Sequence, residues 1–404
     1  MSYSVQSLFL IAVTALFFGC SENKSYVVPN PFDENITDKA VVLSHDDVAK
    51  FVTVDGAKIV LVEDNKGNVL ASQCDDLDGD GTWDELAFLI DLKGGETKAV
   101  SFVTVEKSDA PQFTKRTNIR FGDKKPPYEE IEVSTRLKTN NSPSSTRAFQ
   151  MEGPAWENDV IGFRNYFDAR NGMDIYGKRV TDMVLDSVGL PGKQTYHELA
   201  DWGMDILKVG NSLGAGAIGM AIGDSLYRIG PSGRGTYRFI SEGPVRAMFE
   251  FTFTGVVIAD RTYKISHVVS IYAGDNFYRN RVLVDGLKGD EKLITGIVDH
   301  DLPLNKGEYE GTIYFYTLGG QAYTHEDLGL AVIVDKKSFV DSFSAPLEGD
   351  GITKTYVVSL NLKNNKPVEY IFLAGWELQD KNVTNKDYFE GLIKKNILRM
   401  SWGK

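Results

Sequence analysis

The chain has 404 residues, enough for one large domain or two ordinary ones, with 42% hydrophobic and 25% charged residues. Its formal net charge of −12 excludes a nucleic-acid binder, which needs a basic face to meet phosphates. The same charge requires that an anionic ligand be held by a local basic cluster against the repulsion of the whole molecule.

The apolar stretch LFLIAVTALFF (8–18) is too short to span a bilayer but suits a signal-peptide core. It runs into FFGC, which resembles a bacterial lipoprotein signal with Cys20 as the lipidated residue. Residues 1–20 are therefore expected to be a signal peptide. The mature protein is expected to be exported and anchored to the outer membrane or a periplasm-facing membrane through lipid alone. With Cys20 lipidated, Cys74 has no intrachain partner, and stability must come from the core. The polar segment 21–37, with two prolines, reads as a flexible tether to a single domain spanning 38–404.

From 50 to 72, short β-rich runs separated by Asp-Gly and Lys-Gly turns predict hairpins, and KAVSFVTVE (98–106) continues an N-terminal meander over about 38–106. Within it lies DDLDGDGTWDE (75–85). Asp76, Asp78 and Asp80 alternate around glycines, and Asp84 follows. Alternate side chains of a tight loop can point at one hard cation, so these four are candidate ligands of a structural Ca2+. An EF-hand is excluded, because the twelfth position is Ala87 and ELAFLIDL reads as a strand.

AWENDVIGFRNY (155–166) gathers Trp156, Glu157, Asn158, Asp159, Arg164 and Tyr166; a ring, an amide and a guanidinium are the usual parts of a carbohydrate or carboxylate site. Alternation sets Ile161, Phe163 and Phe167 on one face and Arg164, Tyr166 and Asp168 on the other. NGMDIYGKRV (171–180) adds Lys178 and Arg179, of which at most one can join a given site, since consecutive strand residues face opposite ways. TYHELADWGMDILKVG (195–210) has a poor strand pattern and places His197 on a loop, with Lys208 further on.

Long strands follow, among them VRAMFEFTFTGVVI, TYKISHVVSIYAG, GTIYFYTLG and VEYIFLAGW. Such runs, with few helices between them, predict an all-β fold of large antiparallel sheets packed as a sandwich. In VRAMFEFTF, Val245, Ala247, Phe249, Phe251 and Phe253 form the apolar face. His267 alternates with apolar residues and reads as a core histidine, whereas His300 ends a strand beside two aspartates and is a candidate proton carrier. Only KDYFEGLIKKNILRM (386–400) has helical spacing. No phosphate loop, nucleophile elbow or cysteine cluster is present.

In order, DLDGDGTWDELAFLIDLKGGET, WENDVIGFRNY, GMDIYGKR and YHELADWGMDILKVG resemble a family, formerly a domain of unknown function. It occurs in polysaccharide-utilisation gene clusters of marine Bacteroidota-type bacteria, and its characterised activity is an oligosaccharide dehydratase of ulvan breakdown. The resemblance covers about residues 38–402. It implies a galactose-mutarotase-like β-supersandwich, no organic cofactor, and an anionic sulfated oligosaccharide substrate. The implied reaction removes water from a non-reducing-end glucuronate or iduronate to leave a 4,5-unsaturated uronyl end. One departure is the more apolar LADWG after Tyr196-His197-Glu198, which bears on subsite detail.

Given that reaction, Arg164, helped by Lys178 or Arg179, is expected to clamp the substrate carboxylate. His197 would move one proton, and Tyr166 or His300 the other. Trp156, Glu157 and Lys208 would hold the ring, hydroxyls or a neighbouring sulfate. A polysaccharide lyase would use the same groups to expel a sugar, and a glycan-binding lipoprotein would use the aromatic and basic groups without a histidine.

Overall fold

The structure, a computed structural model, describes residues 24–54, 58–137, 149–230 and 233–400. The expected signal peptide and Cys20 lie outside those residues.

The strands Tyr26–Pro29, Lys58–Asp64, Val69–Leu70 and Thr97–Glu106 make a four-stranded antiparallel sheet, and Ile36–Ser44, Ser72–Asp75 and Glu85–Leu92 a three-stranded one. The two share an apolar core that includes Val41, Val60, Val62, Leu86, Phe88, Ile90, Val100 and Phe102. The expected meander is therefore a small sandwich in its own right. It starts inside the segment read as a tether: Tyr26 pairs with Val100, and Val28 is 3% exposed. Burial of an apolar strand outweighed the polar, proline-containing composition around it. The near-continuous apolar run of Glu85–Leu92 also has a cause. Leu86, Phe88 and Ile90 fill the small core, while Ala87 and Leu89 pack on Val245, Tyr272 and Ala273 of the main body.

The main body is all-β and antiparallel. A nine-stranded sheet is centred on Arg246–Ile258, Arg261–Tyr272, Phe277–Asp285 and Val368–Trp376. One five-stranded sheet contains Glu291–Val298 and Thr355–Asn361. The other runs Gly203–Asp205, Met173–Lys178, Ile161–Asn165, Ala155–Asn158, Thr117–Arg120. All three contribute to one core that includes Phe163, Ile175, Phe249, Phe251, Ile294, Val357 and Phe372. His267 lies in this sandwich at 0% exposure, its Nε2 2.7 Å from Asn280 Oδ1, and burial pushes its pKa down to about 4. It is the core histidine that its strand pattern predicts. The helix Lys386–Arg399 starts at Asn385, whose side chain accepts the Tyr388 amide. Its Phe389, Ile393 and Ile397, four residues apart, cover the outer face of the nine-stranded sheet at Tyr316, Ile333 and Ile371.

The sheet ending in Gly203–Asp205 positions the candidate site. Register sets Arg164 opposite Asp174, Gly162 opposite Tyr176, and Tyr176 opposite Asp205. Trp156, Phe163, Met173 and Ile175 enter the main core. Arg164, Asp174, Tyr176 and Lys178 take the other face, and that face is not open to solvent. Segment 179–202 folds over it, packing Val184, Leu185, Val188, Tyr196 and Trp202 against Ala155 and Tyr176.

Gly177 lies where a Cβ would come 2.5 Å from Cε3 of Trp376, itself 1% exposed. A fully buried indole cannot swing aside, so Gly177→Ala should lower stability by about 1–3 kcal/mol, the usual cost of overpacking. A fall in the urea midpoint with an unchanged slope would report it; an unchanged midpoint would show that the indole yields.

Candidate functional site

Arg164 is 2% exposed, and its Nη2 serves three partners. It pairs with Asp174, donates to Asp205 Oδ2 at 2.9 Å, and lies 3.3 Å from the Tyr166 hydroxyl, which donates to Asp174 at 2.6 Å. The rings of Tyr166, Tyr196 and Tyr176 surround the guanidinium, with its carbon 4.9, 5.2 and 5.3 Å from their centroids. Its Nε and Nη1 are buried with no hydrogen-bond partner among the described residues. One cation thus sits between two carboxylates in a shell of low-dielectric rings. Burial raises the Asp205 carboxyl well above the ordinary carboxylate range; Asp174 adds to this and Arg164 opposes it.

His197 forms the mouth of this cluster. Its Nδ1 lies 3.6 Å from Asp205 Oδ2, the same oxygen that accepts from Arg164. The loop explains the approach. Ala200 and Gly203 exchange backbone hydrogen bonds at 3.0 and 3.1 Å, closing a tight turn, and the Asp205 amide donates to the Tyr196 carbonyl at 2.8 Å. The His197 side chain is 55% exposed. Partial burial, and then the Arg164 charge, hold its pKa below the ordinary value of about 6.5. The Tyr196 ring lies 4.4 Å from the imidazole, and burial holds its phenol above the ordinary tyrosine value, with Arg164 opposing. Tyr323, from a turn of the nine-stranded sheet, brings its ring to 6.5 Å from His197. The arrangement offers a neutral imidazole backed by a carboxylate, a protonated phenol beside it, and exposed aromatic surface.

A family model described as a domain of unknown function, DUF4861, matches residues 28–400. The chain belongs to this family. A protein of Formosa agariphila called uncharacterized protein P7 is 25% identical over 400 residues, spanning 96% of the present chain and 95% of its own. Two structures from Enterococcus faecalis, an alpha-mannosidase and a protein of glycosyl hydrolase family 38, share 10% identity with TM-scores of 0.39 and 0.40. Each alignment covers 91% of this chain, which spans only 45% and 46% of those two.

Several residues expected at the site of this DUF4861 chain lie elsewhere. Trp156 is 0% exposed in the main core, stacked against Phe163 at 6.0 Å and tilted against Phe249 at 5.0 Å. Glu157 and Lys178 are wholly buried and paired to each other at 2.6 Å. Glu157 also accepts the Val184 and Leu185 amides at 2.7 and 2.8 Å, and Lys178 donates to the Asn158 carbonyl at 2.6 Å. They fasten segment 179–202 to the sheet and leave no group for a ligand. Tyr166 is 8% exposed, and burial and Asp174 keep its phenol protonated, so it braces Asp174 rather than serving the mouth. Arg164 is covered, so a bidentate clamp at the surface is not what it forms. Arg179 is exposed at the start of the covering segment, its amide donating to the Trp202 carbonyl at 2.8 Å. Exposed Lys208, three residues beyond Asp205, belongs to the surroundings of His300. Burial lowers the His300 pKa, and the charges acting most on it are Asp299, Lys208, Asp301 and Lys354, a set distinct from the one around His197.

In the acidic turn, carboxylate oxygens of Asp76, Asp78 and Asp84 lie within 4.8 Å of one another. Asp80 is outside this group and accepts the Thr82 amide at 2.7 Å. Asp76 accepts the Gly79 and Gly81 amides at 2.7 and 2.8 Å, which hold its carboxyl below the ordinary range.

Lys178→Met should strand the buried Glu157 charge and cost about 3–5 kcal/mol, the penalty for breaking one side of a buried pair. Chemical denaturation measures it. A loss below about 1 kcal/mol, the range of exposed pairs, would mean that the pair is hydrated and the segment held by other contacts.

Proposed function

We propose that this DUF4861 chain is a hydro-lyase that removes water from the non-reducing-end uronate of an anionic, sulfated oligosaccharide of the ulvan type. The observation that carries the reading is His197: a partly exposed imidazole, held below its usual pKa, with Nδ1 3.6 Å from an oxygen of the buried Asp205. The order of its sequence motifs supports the substrate class. The export reading, with Cys20 lipidated, belongs to the same proposal, since such a polymer is met outside the cytoplasm.

The chemistry follows from the hydrogen on C5 of the uronate, which is weakly acidic beside a carboxylate. His197 Nε2 takes it as a proton. The C–H electron pair becomes the C4=C5 double bond, the C4–O bond breaks, and the departing hydroxide takes the Tyr196 proton to leave as water. Asp205 accepts from the imidazolium Nδ1–H. Arg164, 5.2 Å beneath the Tyr196 ring, stabilises the phenolate and, through its field, the charge developing on the substrate carboxylate. The imidazolium then returns its proton to the phenolate 4.4 Å away, centroid to centroid, and the site is reset. Tyr196 thus replaces Tyr166 and His300 as the second proton carrier.

His197→Gln and Tyr196→Phe should each lower kcat about 10²- to 10⁴-fold, the usual contribution of a positioned acid or base. Tyr166→Phe should mainly lower stability, by about 1–3 kcal/mol, because it leaves Asp174 short of a buried donor. Since the base must be neutral and its pKa is depressed, kcat/KM should fall as pH drops through a value below about 6.5 and stay flat from there to neutrality. Absorbance of the unsaturated product, with a mass loss of one water, is the readout. Chain cleavage without dehydration would assign a lyase; retained activity in His197→Gln would retire the proposed base.

For the acidic turn we propose a structural Ca2+ held by Asp76, Asp78 and Asp84, supported by the convergence of their carboxylates. Calcium should raise the unfolding temperature of the wild type relative to a chelator and leave Asp78→Asn unmoved. Equal temperatures for the wild type in both conditions would dispose of the ion.

A further inference from the structure

At 52%, Tyr323 is the most exposed tyrosine, phenylalanine or tryptophan among the described residues; Tyr388 and Phe343 follow at 41% and 38%. Solvent exposure of a tyrosine is ordinary on a mobile loop, but this loop is pinned on both sides of the ring. The Tyr323 amide donates to the Ile206 carbonyl at 2.8 Å, next to the residue that faces His197. Before it, Ala322 is 3% exposed, and Gln321 is buried with its side-chain amide on the Leu328 carbonyl at 2.6 Å. After it, the Thr324 hydroxyl lies 3.7 Å from the Met204 sulfur. The backbone is fixed and the ring stands in water beside the imidazole, which is the condition of a preorganised contact surface.

The spacing of the two rings says how a ligand would meet them. Carbon atoms in contact lie about 3.5–4.0 Å apart, so a pyranose sandwiched between two rings needs roughly 7–8 Å between their centroids. His197 and Tyr323 are 6.5 Å apart with planes inclined by 41°. A sugar does not fit between them. A single water-exposed face of Tyr323 can instead take the apolar C–H face of a pyranose against its negative π-face, with the sugar's edge extending past the rim of the ring on the side of the imidazole.

We propose that Tyr323 is the stacking platform for the uronate pyranose ring on which His197 acts. This rests on the dehydratase reading for the reaction, although not for the binding. The test is calorimetric titration of a saturated uronate-ended disaccharide, and of methyl glucuronide, into full-length His197→Gln and the same protein with a second change at Tyr323. Tyr323→Ala should weaken binding of both ligands about tenfold, and Tyr323→Phe should bind like the parent, since the ring rather than the hydroxyl carries the contact. Because the side chain is exposed, unfolding temperatures should match and exclude a folding defect. Unchanged affinity in Tyr323→Ala would overturn the platform. A loss seen with the disaccharide but not with methyl glucuronide would overturn its assignment to the reacting ring. Weakened binding in Tyr323→Ala beside a wild-type enzyme that forms no unsaturated product would uphold the platform and remove the reaction assigned to the site.

Discussion

A guanidinium out of contact with water must find its compensation inside the protein, and around Arg164 this requirement organises the site. Two carboxylates on neighbouring strands supply opposite charge, and three tyrosine rings supply polarizable walls. Each carboxylate then has a second task. Asp174 accepts the Tyr166 hydroxyl, and Asp205 faces His197. The pull of Arg164 on Asp205 opposes the effect of burial without cancelling it, and the carboxyl stays well above its ordinary range. The chemistry at the mouth thus descends from an electrostatic problem posed a layer below it.

The same logic of compensated arginines joins the N-terminal sandwich to the main body. Arg246, 2% exposed, donates to Asp75 at 2.6 Å and to Glu85 at 2.7 Å. Arg116 bridges Asp38 to Asp159, and Arg399, near the end of the C-terminal helix, reaches the Asp38, Ala273 and Gly274 carbonyls and Asp275. Such pairs add little net stability over apolar contacts, but an unpaired buried charge is costly, so each admits few alternative dockings. The apolar contact of Ala87 and Leu89 with Val245 and Tyr272 supplies adhesion, and the ion pairs supply register.

Much of this was legible in the sequence, and the limits have physical causes. Period-two alternation identified the long antiparallel strands, and the spacing of Phe389, Ile393 and Ile397 gave the terminal helix. Alternation also put Arg164 and Tyr166 on one face, and the lack of pattern around 197 put the histidine on a loop. What alternation cannot give is the partner strand. Asp174 and Asp205 became site residues only through the register that sets one opposite Arg164 and the other opposite Tyr176. Glu157 and Lys178 looked like ligand-binding groups because a polar face is usually a wet one, whereas Trp156 turns the other way, into the main core. Here a long covering segment turned that face into interior, and the sequence of the segment, with Pro191 between Gly189 and Gly192, carries no sign of where it will lie. Tyr323 escaped notice for a related reason: its neighbourhood with His197 is made by two turns more than a hundred residues apart.

Segment 179–202 has a double office, since it both roofs the guanidinium and brings the imidazole to the edge. Insulation and reactivity are therefore not independent traits of this fold. Any change in the length of that roof alters the local dielectric and the aim of the histidine together.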